Sequence, residues 1–217
     1  MDSYLPVAED AWRWVLAQVR YDDAGPWIPQ HPGVTEPDAY RDGMYAGIGG
    51  LAHALAEVRA TRGWTGPEQS LADAVAERLV APVAEQTTYD FFDGLGSTIG
   101  ALLALGAPGS EAAVARLLAL AEDDGWPQGY VGPPSSLPGT RLNDATLGTA
   151  SVLLSAVWAH RNGVPGASEL AAHAAGVLLA EAEQRETGPH WPFVPARFRT
   201  RPEVQMPNWS HGQAGIA

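Results

Sequence analysis

Two residue types able to move protons near neutral pH stand at related places in the chain. His211 directly precedes a glycine in NWSHGQAGIA, which begins at Asn208, and Asp144 lies four residues before Gly148. An imidazole titrates in the physiological range and a placed carboxylate can orient it, so the pair suits general acid–base chemistry. A histidine at the mouth of an apolar helix meets the positive end of the helix dipole, which favours the neutral ring. Each residue also has a plainer reading. His211 could bond to backbone like a capping residue, and Asp144 could cap the free N–H groups of its own helix.

A second carboxylate, Asp90, stands four residues before Gly94, with Asp93 close by. Together they resemble the carboxylate pair of a glycosidase, but nearness in sequence does not establish facing geometry. Capping and turn roles are the first reading of both. His53 sits in an apolar stretch as Ala-His-Ala and reads as a core histidine. His31, His160, His173 and His190 show no metal-ligand spacing. Tyr89 could line a cavity, with packing as its first reading.

The elements that must position these groups announce themselves as a repeat. YAGIGGLAHALAEV from Tyr45, DGLGSTIGALLALG from Asp93, LGTASVLLSAVWAH from Leu147 and HGQAGIA from His211 share one pattern. A glycine (Gly47, Gly94, Gly148, Gly212) is followed three positions on by a small residue and then by an aliphatic stretch. Missing Cβ atoms let the helix starts approach other backbone closely. Ala101, Leu102, Leu103 and Leu105 leave no polar stripe, which predicts burial all round.

Amphipathic helices are predicted between these inner ones, over residues 67–85, 110–122 and 167–185 and from about Val7 to Arg20. Leu71, Val75, Leu79 and Val83 mark the first of these. Pro67 suits its first turn, and Pro82 ends or kinks it. GPWIP at Gly25, GWPQG at Gly125 and GPHWPFVP at Gly188 set a Trp beside a Pro in three connections. These read first as rigid wedges between helical hairpins, and otherwise as aromatic walls for a ligand. No strand alternation competes, so the predicted class is all-α, a partial (α/α) toroid of alternating outer and inner helices.

Composition narrows the function. The 217 residues are 46% hydrophobic, enough for a large core. All 13 basic residues are arginine, and the formal charge is -12. Such a surface repels phosphate backbones, so nucleic acid is not an expected partner. Arg197, Arg199 and Arg201 form the one basic cluster and read as a solvated loop. Cysteine is absent, which removes disulfides, thiolate zinc sites and a cysteine nucleophile from these residues. The first residues lack a signal-peptide pattern, and no apolar run approaches the length of a membrane span, so a cytoplasmic location is expected.

The order YAGIGGLAHAL, YDFFDGLG, NDATLGTASVLL and NWSHGQAGIA resembles the first four inner-helix repeats of the lanthionine synthetase C-like family, the lanthipeptide cyclases. Ser-His-Gly-Gln-Ala-Gly-Ile is similar to that family's His-Gly-x-x-Gly-Ile signature, and Asp144 with Gly148 to its Asp-x-x-x-Gly-x-Ala repeat start. The resemblance runs over essentially the whole chain, read as one domain, residues 1–217. It implies a toroid of about seven inner and seven outer helices. It also implies thioether formation by addition of a peptide cysteine thiol to dehydroalanine or dehydrobutyrine. The implied partner is a dehydrated precursor peptide, or another thiol and electrophile pair.

Carried onto this chain, the family's active-site histidine is His211. Its aspartate falls on Asp144, with Asp90 as the other claimant. Ser97 and Ser151 stand where a glycine is usual, and Asn143 where an aromatic is frequent. The zinc of the family, held by two Cys and one His beyond the His-Gly repeat, has no ligand set here. The expectation is therefore a chain about four hairpins long that ends after its histidine, does not cyclise by itself, and associates through an open apolar edge. Two other functions stay open on the sequence. One is a sugar-active helical toroid using Asp90 or Asp144, and the other is a non-catalytic peptide-binding scaffold.

Overall fold

A computed structural model of the chain describes residues 4–128, 137–199, 202 and 207–217. The protein is all-α, with eight α-helices and two small two-stranded hairpins among the described residues. In order these are α1 (Leu5–Leu16), β1 (Arg20–Asp22), β2 (Gly25–Trp27), α2 (Ile48–Arg62), α3 (Gly66–Val80), α4 (Leu95–Leu105) and α5 (Ser110–Leu120). After them come α6 (Thr149–Arg161), α7 (Ala167–Glu181), β3 (Glu183–Arg185), β4 (Gly188–His190), a 3-10 turn (Ala196–Phe198) and α8 (Gln213–Ile216). None of the described helices is long and apolar enough to cross a membrane.

Helices α2, α4 and α6 form a row: α2 packs on α4, and α4 on α6. The odd-numbered ones lie against that row, with α3 on α2 and α4, α5 on α4 and α7, and α7 on α6. Leu71, Val75 and Leu79 recur along one face of α3 and are buried against Ile48, Leu55 and Leu102. A second apolar cluster joins Leu95 and Ile99 of α4 to Val114 and Leu117 of α5, Val152 of α6 and Leu170 of α7. Burial of such faces, not helix propensity, stabilises helices of this length.

All-round burial holds for α4, where nine of eleven residues are buried. It fails for α2 and α6: Arg59 is exposed in the first, and Leu154 is 38% exposed in the second. The reason is placement, because α4 has α2 and α6 on its sides and α3 and α5 against it. Gly106 (φ 68) closes α4 in the left-handed region. There Arg59 donates to the Leu105 and Ala104 carbonyls at 2.6 and 2.9 Å.

A capping arrangement and a buried ion pair start α3. Glu68, 3% exposed, accepts from the Thr65 N–H at 2.7 Å, from Trp12 Nε1 at 2.6 Å and from Arg62 at 2.7 Å. The helix ends at Val80, and Pro82 has no N–H with which to continue it.

Two predicted helices are shorter than their patterns suggest. The amphipathic stretch over 167–185 ends at Glu181, and Glu183–Arg185 turns back as β3 against β4. The N-terminal helix likewise stops at Leu16, and Arg20–Asp22 pairs with Gly25–Trp27. A third copy of this return, one bridge between Glu122 and Gly125, lies just beyond the end of α5. Gly25, Gly125 and Gly188 take φ of 110, 105 and 112, a region closed to other residues without strain, and this glycine turns the chain.

The tryptophans after these turns act as wedges. Trp126, 1% exposed, donates its indole N–H to Leu117 O at 2.9 Å, and Trp191 donates to Leu178 O at 2.6 Å. Each ties a hairpin to the helix it has just left, α5 and α7 respectively. Trp27 is buried beneath the Arg20 guanidinium, 5.2 Å from the ring centre.

Candidate functional site

The glycine repeat folds into one recurring loop. Ile48, Leu95 and Thr149, each next after its lead glycine, donate N–H to the carbonyl seven residues earlier, on Arg41, Thr88 and Leu142, at 2.8 to 3.0 Å. The lead glycines bond four residues back, Gly47 to Gly43, Gly94 to Asp90 and Gly148 to Asp144. Gly212 shares the extended conformation of Gly47, with φ -137 in both. Three of these glycines are needed because a Cβ would overlap backbone: at Gly148 it would lie 2.5 Å from Leu142 O and 2.6 Å from Asp144 N.

The position four before the lead glycine is therefore structurally equivalent in the first three repeats, where Gly43, Asp90 and Asp144 occupy it, and Asn208 holds the same place in sequence in the fourth. Asp90 accepts the N–H groups of Phe92 and Asp93 at 2.9 and 2.8 Å, and so serves its own turn. Asn208 accepts the N–H of His211 at 2.8 Å. Asp144 accepts from Leu147 N–H at 3.2 Å through Oδ1, which leaves Oδ2 for another repeat.

Asp144 Oδ2 lies 2.8 Å from His211 Nδ1, across 67 residues of sequence. The two residues singled out by sequence are thus brought together. The Asp144 side chain is fully buried, whereas the His211 side chain is 40% exposed. Burial pushes the Asp144 carboxyl above the usual carboxylate range, and its bonds to Thr146, His211 and Leu147 oppose that. With Nδ1 facing a carboxylate, Nε2 is the nitrogen left for chemistry. The helix after His211 is a single turn, Gln213–Ile216, so its dipole is a small influence beside Asp144.

Several residues that sequence reasoning did not single out hold this pair. Thr146 Oγ1 is 2.6 Å from Asp144 Oδ2, 2.7 Å from Ser210 O and 3.0 Å from His211 Nδ1. Phe193 packs on the His211 ring at 5.4 Å between centres. Its segment is held on one side by Asn143, which donates from Nδ2 to Pro192 O at 2.8 Å. On the other side Gln213 accepts from Trp191 N–H at 3.2 Å and donates to Trp191 O. Thr146 carried a faint signal, a hydroxyl two residues beyond Asp144. Phe193 and Gln213 carried none, since their roles exist only once the segments meet.

The other candidates separate. Asp90 is buried, which raises its carboxyl, and the charge of Asp144 adds to that. Asp93 is pushed up to about 6 by burial and by Asp90 and Asp38, and its Oδ1 is buried without a hydrogen-bond partner. Tyr89 is buried, accepts from Gln128 Nε2 at 2.8 Å, and is held un-ionised by burial and by Asp90 and Asp144. His53 stacks on Trp158 at 5.8 Å, and burial lowers its pKa, as fits a packing histidine. His173 meets Glu122 O at 3.1 Å and the edge of Trp126. His31 accepts the Gly33 N–H at 3.3 Å in its own loop.

The basic cluster departs from its solvated reading. Arg197 bridges Asp124 and Glu181 at 3.0 and 2.5 Å, and Arg199 pairs with Glu183 at 3.3 Å. Its third member, Arg201, lies outside the described residues. A metal set is not found either. The chain has no cysteine, and among the described residues no three His, Asp or Glu side chains gather to hold an ion. These residues do not fit the zinc site that the resemblance implies. Comparisons with family models, curated proteins and solved structures return no match.

Proposed function

We propose that Asp144 and His211 are the acid–base pair of a lanthionine synthetase C-like protein and that His211 handles the proton of thioether formation. The observation that carries the reading is the 2.8 Å contact between Asp144 Oδ2 and His211 Nδ1. It joins the two positions on which the His-Gly-x-x-Gly-Ile and Asp-x-x-x-Gly-x-Ala motifs place the family's active-site residues. The row of helices α2, α4 and α6 with the odd-numbered ones against it supports the (α/α) toroid that the same motifs imply.

The chemistry suits the pair. A peptide thiolate adds to the β-carbon of dehydroalanine or dehydrobutyrine and forms the C–S bond. The C=C electrons move toward the adjacent carbonyl, and the resulting enolate takes a proton at its α-carbon. The His211 imidazolium supplies that proton from Nε2, while Asp144 fixes the ring. Because Asp144 is buried and tied to Thr146 and Leu147, it holds the ring in one orientation, so the proton arrives on one face.

That face is the basis of a test. At pH about 7.5 roughly a tenth of a cysteine thiol is ionised unaided, so addition proceeds slowly without activation of the thiol, and an ordinary imidazole is still protonated in roughly the same proportion. A peptide carrying one cysteine and one dehydroalanine is cyclised at that pH with and without the protein, and the α-carbon diastereomers are separated. The protein gives one diastereomer in excess, and His211→Ala restores the mixture seen without protein. An identical mixture with and without the protein defeats the reading. The sugar-active reading, which uses Asp90 or Asp144, is weaker, because Asp90 Oδ1 accepts the N–H groups of its own turn and Asp144 Oδ2 faces His211.

A further inference from the structure

We propose that Thr146 is a positioning residue that fixes which nitrogen of His211 carries the proton. The inference rests on the reading of Asp144 and His211 as an acid–base pair. The Thr146 hydroxyl stands at the meeting point of two repeats. Its oxygen is 2.6 Å from Asp144 Oδ2, 2.7 Å from Ser210 O and 3.0 Å from His211 Nδ1. A hydroxyl has one hydrogen and two lone pairs.

Both Asp144 Oδ2 and Ser210 O are pure acceptors, and each lies nearer to the hydroxyl than Nδ1 does. The hydroxyl hydrogen goes to one of them, and in either arrangement the oxygen presents a lone pair to Nδ1. Nδ1 therefore faces two acceptors, the carboxylate at 2.8 Å and the hydroxyl at 3.0 Å, and it must be the protonated nitrogen. Nε2 is left unprotonated in the neutral ring and able to take and return a proton. Without the hydroxyl, whichever of Asp144 Oδ2 and Ser210 O takes its hydrogen loses a donor. The tie between the loop of Asp144 and the loop of His211 is lost as well.

The position in the repeat supports a specific role. Thr146 stands two residues before its lead glycine, where the other repeats carry Tyr45, Phe92 and Ser210. Tyr45 is 83% exposed and meets Phe92 edge-on, so the repeat itself demands no hydroxyl there. Tyr45 and Ser210 also carry hydroxyls, but the oxygen of Thr146 is the one that lies beside both Asp144 and His211.

Nitrogen-15 NMR of the histidine-labelled full chain at pH about 8.5 tests this, with the His211 signals assigned by their loss in His211→Gln. The wild type and Thr146→Ser show Nδ1 protonated and Nε2 bare. Thr146→Val, which keeps the shape and removes the hydroxyl, shows a mixture of the two tautomers. Proton delivery, read from the diastereomer excess and the rate together, falls by about tenfold in Thr146→Val and recovers in Thr146→Ser. An unchanged tautomer in Thr146→Val overturns the proposal, as does an equal change in Thr146→Ser. Asp144→Asn separates this from the parent reading. If it alone disturbs the tautomer, the pair stands and Thr146 falls; if neither variant disturbs it, both readings fall.

Discussion

Replacing Gly148 by alanine tests the recurring loop on which the candidate site is built. A Cβ there would lie 2.5 Å from the carbonyl carbon and oxygen of Leu142 and 2.6 Å from Asp144 N. Ordinary contacts for such atoms are about 3.4 Å or more, so backbone must move by roughly 0.8 Å. Overpacking of this kind costs about 1–3 kcal/mol. The shift also strains the Thr149 N–H to Leu142 O bond and the Gly148 N–H to Asp144 O bond, each contributing about 1 kcal/mol. The sum is roughly 3 kcal/mol, or a fall in Tm of about 6–12 °C for a chain of this size. Gly176, within α7, is the control, because nothing lies within 4 Å of its Cβ position. Gly176→Ala gains about 1 kcal/mol from helix propensity and raises Tm by about 2–4 °C. Differential scanning calorimetry of both variants decides the matter. A Gly148→Ala protein that melts within 2 °C (about half a kcal/mol) of the wild type refutes the close approach on which the loop depends.

Three more outcomes rest on named groups. Asp93 holds its proton to about pH 6 in the folded chain, so its ionisation lowers stability as pH rises from the ordinary carboxylate range through 6. Asp93→Asn therefore raises Tm at pH 8 and leaves it unchanged near pH 3.5; equal shifts at both pH values would contradict the burial of this carboxylate. The lowered carboxyl of Glu68 has the opposite sign, being stabilising above its unfolded range and lost as acid protonates it. Urea unfolding should show Glu68→Gln about 3 kcal/mol weaker at pH 7, with the gap narrowing below pH about 4. Trp126→Phe removes the indole N–H from Leu117 O and leaves that buried carbonyl unsatisfied, which lowers stability by about 1–3 kcal/mol in the same assay. An unchanged midpoint would mean that the indole bond contributes little to holding the hairpin.

The parts of the fold readable from sequence are those where a residue type has few physical alternatives. Gly47, Gly94 and Gly148 stand where a Cβ would meet backbone, so the starts of α2, α4 and α6 announce themselves. The faces of α3 and α7 were legible as periodic apolar residues, and Pro82 marked the end of the first, but nothing marked where α7 stops. The three-residue hairpins around Gly25 and Gly188 are too short for alternation to show, and their amphipathic flanks continue the helical pattern. At the site, Asp90 and Asp144 look alike because both precede a lead glycine by four. Only the folded chain distinguishes them: Asp90 serves its own N–H groups, whereas Asp144 directs Oδ2 at His211. Asn143 and Gln213 were illegible as clamps because each bonds backbone 49 and 22 residues away. The Arg197 and Arg199 pairs escaped notice for the same reason.

The claim that Asp144 and His211 act as one unit has its most direct test in a double-variant cycle on proton delivery. The rate and diastereomer excess of thioether formation are measured for the wild type, His211→Ala, Asp144→Asn and the double variant. If Asp144 acts only through His211, the double variant is no worse than His211→Ala alone, within about twofold. Losses that multiply, with the double variant slower than His211→Ala by the full factor of Asp144→Asn, would show two independent groups and contradict the pair.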